Sequence, residues 1–276
     1  MKNKTIVITG ATSGVGEVAA IRLAEQGAHI VAVARDATRA EATLAKLRKA
    51  NPDQDHTAHL GDLSRLSDIK RVSREILETT PVVDVLINNA GAIFGKREMT
   101  PDGLEKTFAL NHMSYFVMTN MLLPHIKAGG RIVSTSSEAH RRGKMDFDDL
   151  QSKKSFSAWE SYSRSKLENI LFTRALSRRL IGTGITANVL HPGFVATRFG
   201  DSAGGLQKLG LSLAKMAAIK PEEGAKTIIY LAASPEVQDV TGRYFVKCEI
   251  TSPTPEALDA DKSEKLWDIS AKIADL

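Results

Sequence analysis

Short runs of β-branched and aliphatic residues alternate with stretches of helical periodicity along almost the whole chain. The strand pattern falls at residues 5–9 (TIVIT), 29–34 (HIVAVA), 56–59, 83–87 (VDVLI), 131–135 (RIVST), 186–190 (TANVL) and 243–246. The strongest of these runs are apolar at nearly every position, as strands covered on both faces must be. Helical periodicity occupies residues 14–25, 38–49, 66–78, 104–125, 157–180 and 221–233. Asp62-Leu63-Ser64 precedes the third of these. Pro101 stands near the start of the fourth, and Pro221-Glu222-Glu223 opens the sixth, placing acids at a helix N-terminus. The alternation predicts an α/β fold, a doubly wound parallel sheet of about seven strands with right-handed crossovers and helices on both faces. There is no internal repeat, low-complexity tract or linker, so residues 1–276 are expected to form one domain. Two segments break the rhythm, at 139–158 and 196–220. The tail, 253–276, closes on an amphipathic stretch around Leu266, Trp267, Ile269 and Ile273.

Composition narrows the class. With 276 residues the chain can bury a sizeable core without disulfides. Cys248 is the single cysteine, which excludes an internal disulfide and a clustered-Cys metal site. The seven histidines show no metal spacing, so no metal is expected. The net charge of +5 is spread in pairs, Arg141-Arg142, Lys153-Lys154 and Arg178-Arg179, rather than in a long run. That argues against a nucleic-acid partner and suits a phosphate-rich ligand. No stretch approaches the apolar length of a membrane span, and the start, MKNKTIVITG, runs directly into a strand. A cytoplasmic protein without a membrane span is the expectation.

The first strand ends in Thr9-Gly10-Ala11-Thr12-Ser13-Gly14-Val15-Gly16, immediately before a helix. The glycines follow GxxxGxG rather than GxGxxG, but the physics is shared. Gly10 permits the sharp turn, Gly14 lets backbone approach a pyrophosphate, and Gly16 lets helix and strand pack closely. Free amides and the helix dipole, here around Thr12, Ser13, Gly14 and Val15, then favour an anion. Dinucleotide folds of NAD type place an acid at the end of the second strand. Here that position is Ala34, followed by Arg35 and, one turn on, Arg39, whose guanidinium groups suit a 2′-phosphate. NADP(H) is therefore the expected cofactor. Asp36 keeps an NAD-type reading open, because an alignment shifted by two positions makes it the ribose acid. Asp62 and Leu63 either bond and pack an adenine or cap the helix that follows; the two roles are compatible.

Tyr162 and Lys166 stand at i and i+4 in a helical segment and share one face. A tyrosine hydroxyl is a poor base at neutral pH, and a neighbouring ammonium lowers the cost of its phenolate. Such a pair can pass a proton to or from a substrate oxygen. Ser137, at the end of RIVSTSS, supplies a second hydrogen bond to that oxygen, and Asn111 is placed to bond backbone and organise water toward Lys166. YxxxK alone is a weak signal. Its weight comes from order: a glycine turn after the first strand, Asn-Asn-Ala-Gly after the fourth, Ser-Ser after the fifth and YxxxK on the next helix all fall at carboxyl ends of strands.

With TGATSGVG, NNAG (Asn88, Asn89, Ala90, Gly91), Asn111, Ser137, YSRSK and HPG (His191, Pro192, Gly193) followed by Val195 and Thr197, the sequence resembles the short-chain dehydrogenase/reductase family over nearly its whole length. The resemblance implies a Rossmann-type fold and a Ser137-Tyr162-Lys166 site supported by Asn111. It also implies cofactor contacts at Asn89, Ala90, Gly91, Tyr162, Lys166, Pro192, Gly193, Val195 and Thr197. Ser137 and Tyr162 stand about twice as far apart as in most members. The intervening EAHRRGKMDFDDLQSKKSFSAWES and the closing GRYFVKCEITSPTPEALDADKSEKLW are similar to the retinol dehydrogenase-like branch. That branch, more distantly similar to protochlorophyllide reductases, implies NADP(H) and a lipophilic alcohol, aldehyde or ketone. Its animal members often carry a membrane anchor, for which the sequence shows no counterpart.

The glycines of the 196–220 segment, with Leu206, Leu209, Leu213 and Met216 behind them, read either as a lid on an apolar pocket or as a helix packed on the core. Ser137, Tyr162, Leu206 and Leu209 are the expected substrate contacts. A carbon–carbon double-bond reductase using the same Tyr and Lys, and a non-catalytic NADP(H) sensor, stay open as alternatives. Relatives often dimerise through the helices at 104–125 and 157–180, so a homo-oligomer is also open.

Overall fold

The computed structural model describes residues 1–194 and 219–276. Strands β1 (Thr5–Thr9), β2 (His29–Ala34), β3 (Thr57–Leu60), β4 (Val83–Asn88), β5 (Ile126–Thr135), β6 (Thr186–His191), β7 (Tyr244–Val246) and β8 (Glu249–Ile250) form one sheet in the order β3-β2-β1-β4-β5-β6-β7-β8. All pairs are parallel except β7 with β8. The eighth strand exceeds the expected seven. It is two exposed residues long and follows a hairpin in which Lys247 and Cys248 both take positive φ, at 51° and 65°. Neither residue belongs to the Asn/Gly pairs that announce such a turn, so nothing in the sequence signals it.

Alternation along β1 sends Ile6 and Ile8 to one face and Val7 to the other, and each face has its own apolar cluster. On the first face pack α1 (Gly14–Glu25) and α2 (Ala37–Ala50), through Ala20, Leu23, Leu44 and Leu47. On the second lies α3 (Leu66–Thr79), through Ile69, Val72 and Ile76. The predicted helix over 104–125 is broken. α4 (Lys106–Phe108) starts on the buried Glu105 carboxylate, which accepts the amides of Thr107 and Phe108. Residues Ala109–Met113 then widen into a π-type turn before α5 (Ser114–Leu122). α6 (Ala158–Arg179) joins the second face, capped by Ser157, and α7 (Pro221–Ala233) joins the first.

The tail forms α8 (Ala260–Ala274), which lies on α6. Trp267 stacks on Phe172 at 5.9 Å and meets Phe116 edge-on at 4.9 Å, while Glu264 takes Arg178 and Arg179 at 2.7 and 2.6 Å. Among the described residues no helix is long and apolar enough to cross a membrane. The chain leaves β1 for β2 on one side and places β4 on the other. The switch point, where open α/β sheets bind their ligands, therefore lies above the carboxyl ends of β1 and β4.

Candidate active site

The turn after β1 is built around two left-handed glycines, Gly10 at φ 68° and Gly14 at φ 58°. Gly16 answers to a steric demand: a Cβ there would come within 2.3 Å of the Gly10 carbonyl oxygen and 2.4 Å of Asn89 Nδ2. Asn89 donates its amide to the carbonyls of Thr9 (3.0 Å) and Gly10 (3.3 Å), tying the β4 loop to the turn. Thr9 Oγ1 accepts the backbone amides of Asn89 (2.9 Å) and Ala90 (3.0 Å). Thr9 is a site residue that the sequence reading missed. Its only signal was a polar side chain at the end of an apolar strand.

Ser13 is the N-cap of α1, but its side chain makes no capping bond. The first amides of α1 have no partner within the helix. Together with the exposed Ser13 hydroxyl and the partly exposed Thr12 they form a cradle suited to phosphate. Arg35 and Arg39 follow β2, exposed and without a carboxylate partner among the described residues. Asp36 caps α2, its Oδ1 accepting the Arg39 amide at 2.8 Å. Asp62 holds Ser64 through that residue's amide and hydroxyl, at 3.0 and 2.8 Å, and the N-cap of α3 is Arg65 instead. Leu63 is buried in the cluster beneath β2.

Four sequence-selected residues converge at the carboxyl ends of β4 and β5. Asn111 sits in the π-type turn, accepting the Ala92 amide and donating to the Ala92 carbonyl and to Ser165 Oγ, each at 2.9 Å. Ser165 in turn donates to the Tyr162 carbonyl at 2.7 Å. Asn111 thus clamps α6 to the β4 loop, with both amide hydrogens spent on protein rather than on water. A Cβ on Gly91 would lie 3.2 Å from both Asn111 Oδ1 and Lys166 Nζ, so the loop, the turn and α6 meet at one point.

Lys166 Nζ donates to the Thr135 carbonyl at 3.2 Å, and Ser136 Oγ donates to the Lys166 carbonyl at 2.6 Å. The ammonium is 5.6 Å from the Tyr162 ring centroid and 5.8 Å from that of Tyr115. Burial pulls Lys166 down to about 7. Burial also pushes the Tyr162 hydroxyl upward, opposed by a hydrogen bond with Ser137. This departs from the expected lowering of Tyr162 by Lys166. Burial is the larger effect on each group and favours its neutral form. Ser137 Oγ also accepts the Ala139 amide at 3.2 Å. His140 lies 2.7 Å through Nδ1 from the Ser137 carbonyl oxygen, and burial holds that imidazole below its ordinary range.

Around Tyr162 the described apolar walls are Ile93, Ala139, Ala158 and Phe156, with the half-exposed Trp159 at 5.9 Å from the tyrosine ring. After β6, Gly193 takes φ 91°, and a Cβ there would press into Ile219 at 2.5 Å. Pro192 precedes it at the same strand end. Val195, Thr197, Leu206, Leu209, Leu213 and Met216, and with them nearly all of the expected lid, lie outside the described residues.

Residues 4–207 match the family described as short chain dehydrogenase. Retinol dehydrogenase 14 of Mus musculus is 43% identical over 98% of this chain and 85% of its own length. A crystal structure of an uncharacterised protein from Mycobacterium paratuberculosis superposes with a TM-score of 0.80 at 30% identity, covering 99% of this chain and 94% of the other. A short-chain dehydrogenase from Burkholderia cenocepacia, solved in complex with NADP, gives a TM-score of 0.71 at 25% identity, covering 88% and 96%.

Proposed function

The chain belongs to the short-chain dehydrogenase family, in its retinol dehydrogenase-like branch, and from that premise we propose that it is an NADP(H)-dependent oxidoreductase interconverting an alcohol and a carbonyl on a lipophilic small molecule. The observation that carries this reading is the buried Lys166 side chain, one turn from Tyr162, with its Nζ donating to the Thr135 carbonyl at 3.2 Å. A ribose diol at the switch point is the chemistry that would complete it. The nicotinamide dinucleotide, when bound, supplies or accepts the hydride.

The rest is the work of this chain's residues. The amides of Gly14, Val15 and Gly16 with Thr12 and Ser13 bind the pyrophosphate, and Arg35 and Arg39 select the 2′-phosphate. Ser137 donates to the substrate oxygen. Tyr162, its hydroxyl pushed up by burial, exchanges its proton with that oxygen as charge develops there. Asn111 holds the helix that carries Tyr162 and Lys166 at the right height. The apolar wall of Ile93, Phe156 and Trp159 supports a lipophilic substrate, and the retinol dehydrogenases among its relatives make retinoids the first class to examine.

The test is NADPH consumption against retinal, aliphatic and aromatic aldehydes, and ketones, with sugars and hydroxy acids as polar controls. Apolar carbonyls should give the higher kcat/KM, by about 0.8 kcal/mol of transition-state binding per buried methylene. Preference for the polar set, or turnover only with conjugated double bonds, would displace this reading.

A further inference from the structure

A small cavity of about 150 Å³ opens between α6, the β7–β8 hairpin and the segment that leads into α8. It belongs to no part of the dinucleotide site. Gly242 and Arg243 enter β7 at its amino-terminal end, where Gly242 bonds the Ala187 carbonyl at 2.7 Å near the start of β6. Arg174 lies eight residues beyond Lys166 on α6, roughly 12 Å along the helix axis and away from the carboxyl edge of the sheet.

The cavity is lined by two arginines, Arg174 and Arg243, by Thr251 and Ser252, and by the apolar Ile170, Ile250 and Leu258, with no carboxylate among its lining residues. Arg174 is half-buried. Its Nε is shielded from solvent and has no hydrogen-bond partner, while Nη1 makes only a long 3.4 Å bond to the Gly242 carbonyl. Arg243 has no acid partner among the described residues. The nearest competitor for an acid, Arg178, already holds Glu264 at 2.7 Å. Two like charges converging without a counter-charge destabilise a fold, and the strain shows on Arg174, whose proton affinity is lowered by burial and then by Arg178 and Arg243. Two arginines that share one concave space without a carboxylate partner are a donor set that recognises tetrahedral oxyanions.

We propose that this cavity is a second anion site, taking an inorganic phosphate or the phosphate group of a small metabolite. The bound anion bridges α6 to the β7–β8 hairpin and fastens the entry to the tail helix. The space is large enough for one oxyanion.

The experiment is a phosphate titration of the full chain by calorimetry and thermal unfolding, run with NADPH saturating the dinucleotide turn and with chloride at matched ionic strength as reference. Wild type should bind phosphate and unfold at a higher temperature than in chloride. Arg174→Gln and Arg243→Gln should each weaken phosphate binding roughly tenfold, the effect of losing one charged hydrogen bond. Both should leave NADPH affinity unchanged. Arg243 is exposed, so its substitution tests the site even where Arg174→Gln harms folding. A phosphate ester tested beside free phosphate separates the two sources: tighter binding of the ester assigns a metabolite, and equal binding assigns the free ion. The proposal is overturned if phosphate acts no differently from chloride, if NADPH abolishes the effect, or if Arg243→Gln binds phosphate as wild type does.

Discussion

The Lys166 ammonium reaches 3.2 Å from the carbonyl oxygen of Thr135, the last residue of β5, and the Asn169 amide joins the same oxygen at 3.1 Å. One strand-end carbonyl therefore sets the position of the buried lysine relative to the sheet, and through α6 the position of Tyr162.

Tyr162→Phe removes one hydroxyl and keeps the ring among Ile93, Ala139 and Ala158. NADPH titration by fluorescence should be unchanged, while kcat falls by roughly 10²–10⁴-fold, the scale of a lost general acid. Lys166→Ala should weaken both binding and turnover. Normal turnover by Tyr162→Phe would remove this helix from the chemistry.

Arg35→Ala should weaken NADP(H) by about 1.5–3 kcal/mol, the worth of a charged hydrogen bond, and leave NAD(H) alone. Since Asp36 is engaged in capping α2, Asp36→Ala should lower stability by about 1 kcal/mol without creating or removing cofactor preference. Equal losses for both cofactors in Arg35→Ala contradict the 2′-phosphate assignment.

Gly16→Ala places a methyl 2.3 Å from the Gly10 carbonyl oxygen, a contact that only backbone movement relieves. Thermal unfolding should show a loss of about 1–3 kcal/mol from overpacking, and NADPH affinity should fall with it because the turn and the Asn89 tie must both shift. A variant with native stability and affinity would mean that the turn is held differently.

Glu168 is fully buried on α6, with neither carboxylate oxygen hydrogen-bonded and the Arg164 Nε at 3.8 Å. Burial raises it from 4.5 to about 8. Between those values the folded chain holds a proton that the unfolded chain has lost. The raised affinity therefore stabilises the fold fully below about 4.5, and this is lost progressively as pH climbs to about 8. Glu168→Gln mimics the protonated form. Denaturant unfolding of both proteins across this window should show wild type losing ground steadily to the variant, and a difference independent of pH would refute the assignment.

Trp267→Ala removes the ring that Phe116, Phe172 and the Arg179 guanidinium, at 4.1 Å, close around. Stability should drop by about 3 kcal/mol in urea unfolding. A change near zero would show that α8 contributes little to the hold on α5 and α6.

Period and punctuation determined most of the fold. The apolar runs of β1, β2, β4 and β6 could only be strands covered on both faces, and the glycines after β1 could only serve a tight turn into a helix. Both are local demands, written where they act. That Ser137, Tyr162 and Lys166 lie near one another was legible for the same reason, because spacing on one helix and position at a strand end are sequence properties. Tertiary structure decided what depends on neighbours distant in sequence. The Lys247–Cys248 hairpin has no turn signature, and the helix expected at 104–125 breaks because Asn111 must reach Ala92 and Ser165 from a widened turn. That Asp36 caps α2, accepting the Arg39 amide, came from the fold and not from its place after β2. The sign of the Tyr162 shift depended on burial, which pairs at i and i+4 do not reveal: in the packed site desolvation outweighs the hydrogen bond with Ser137.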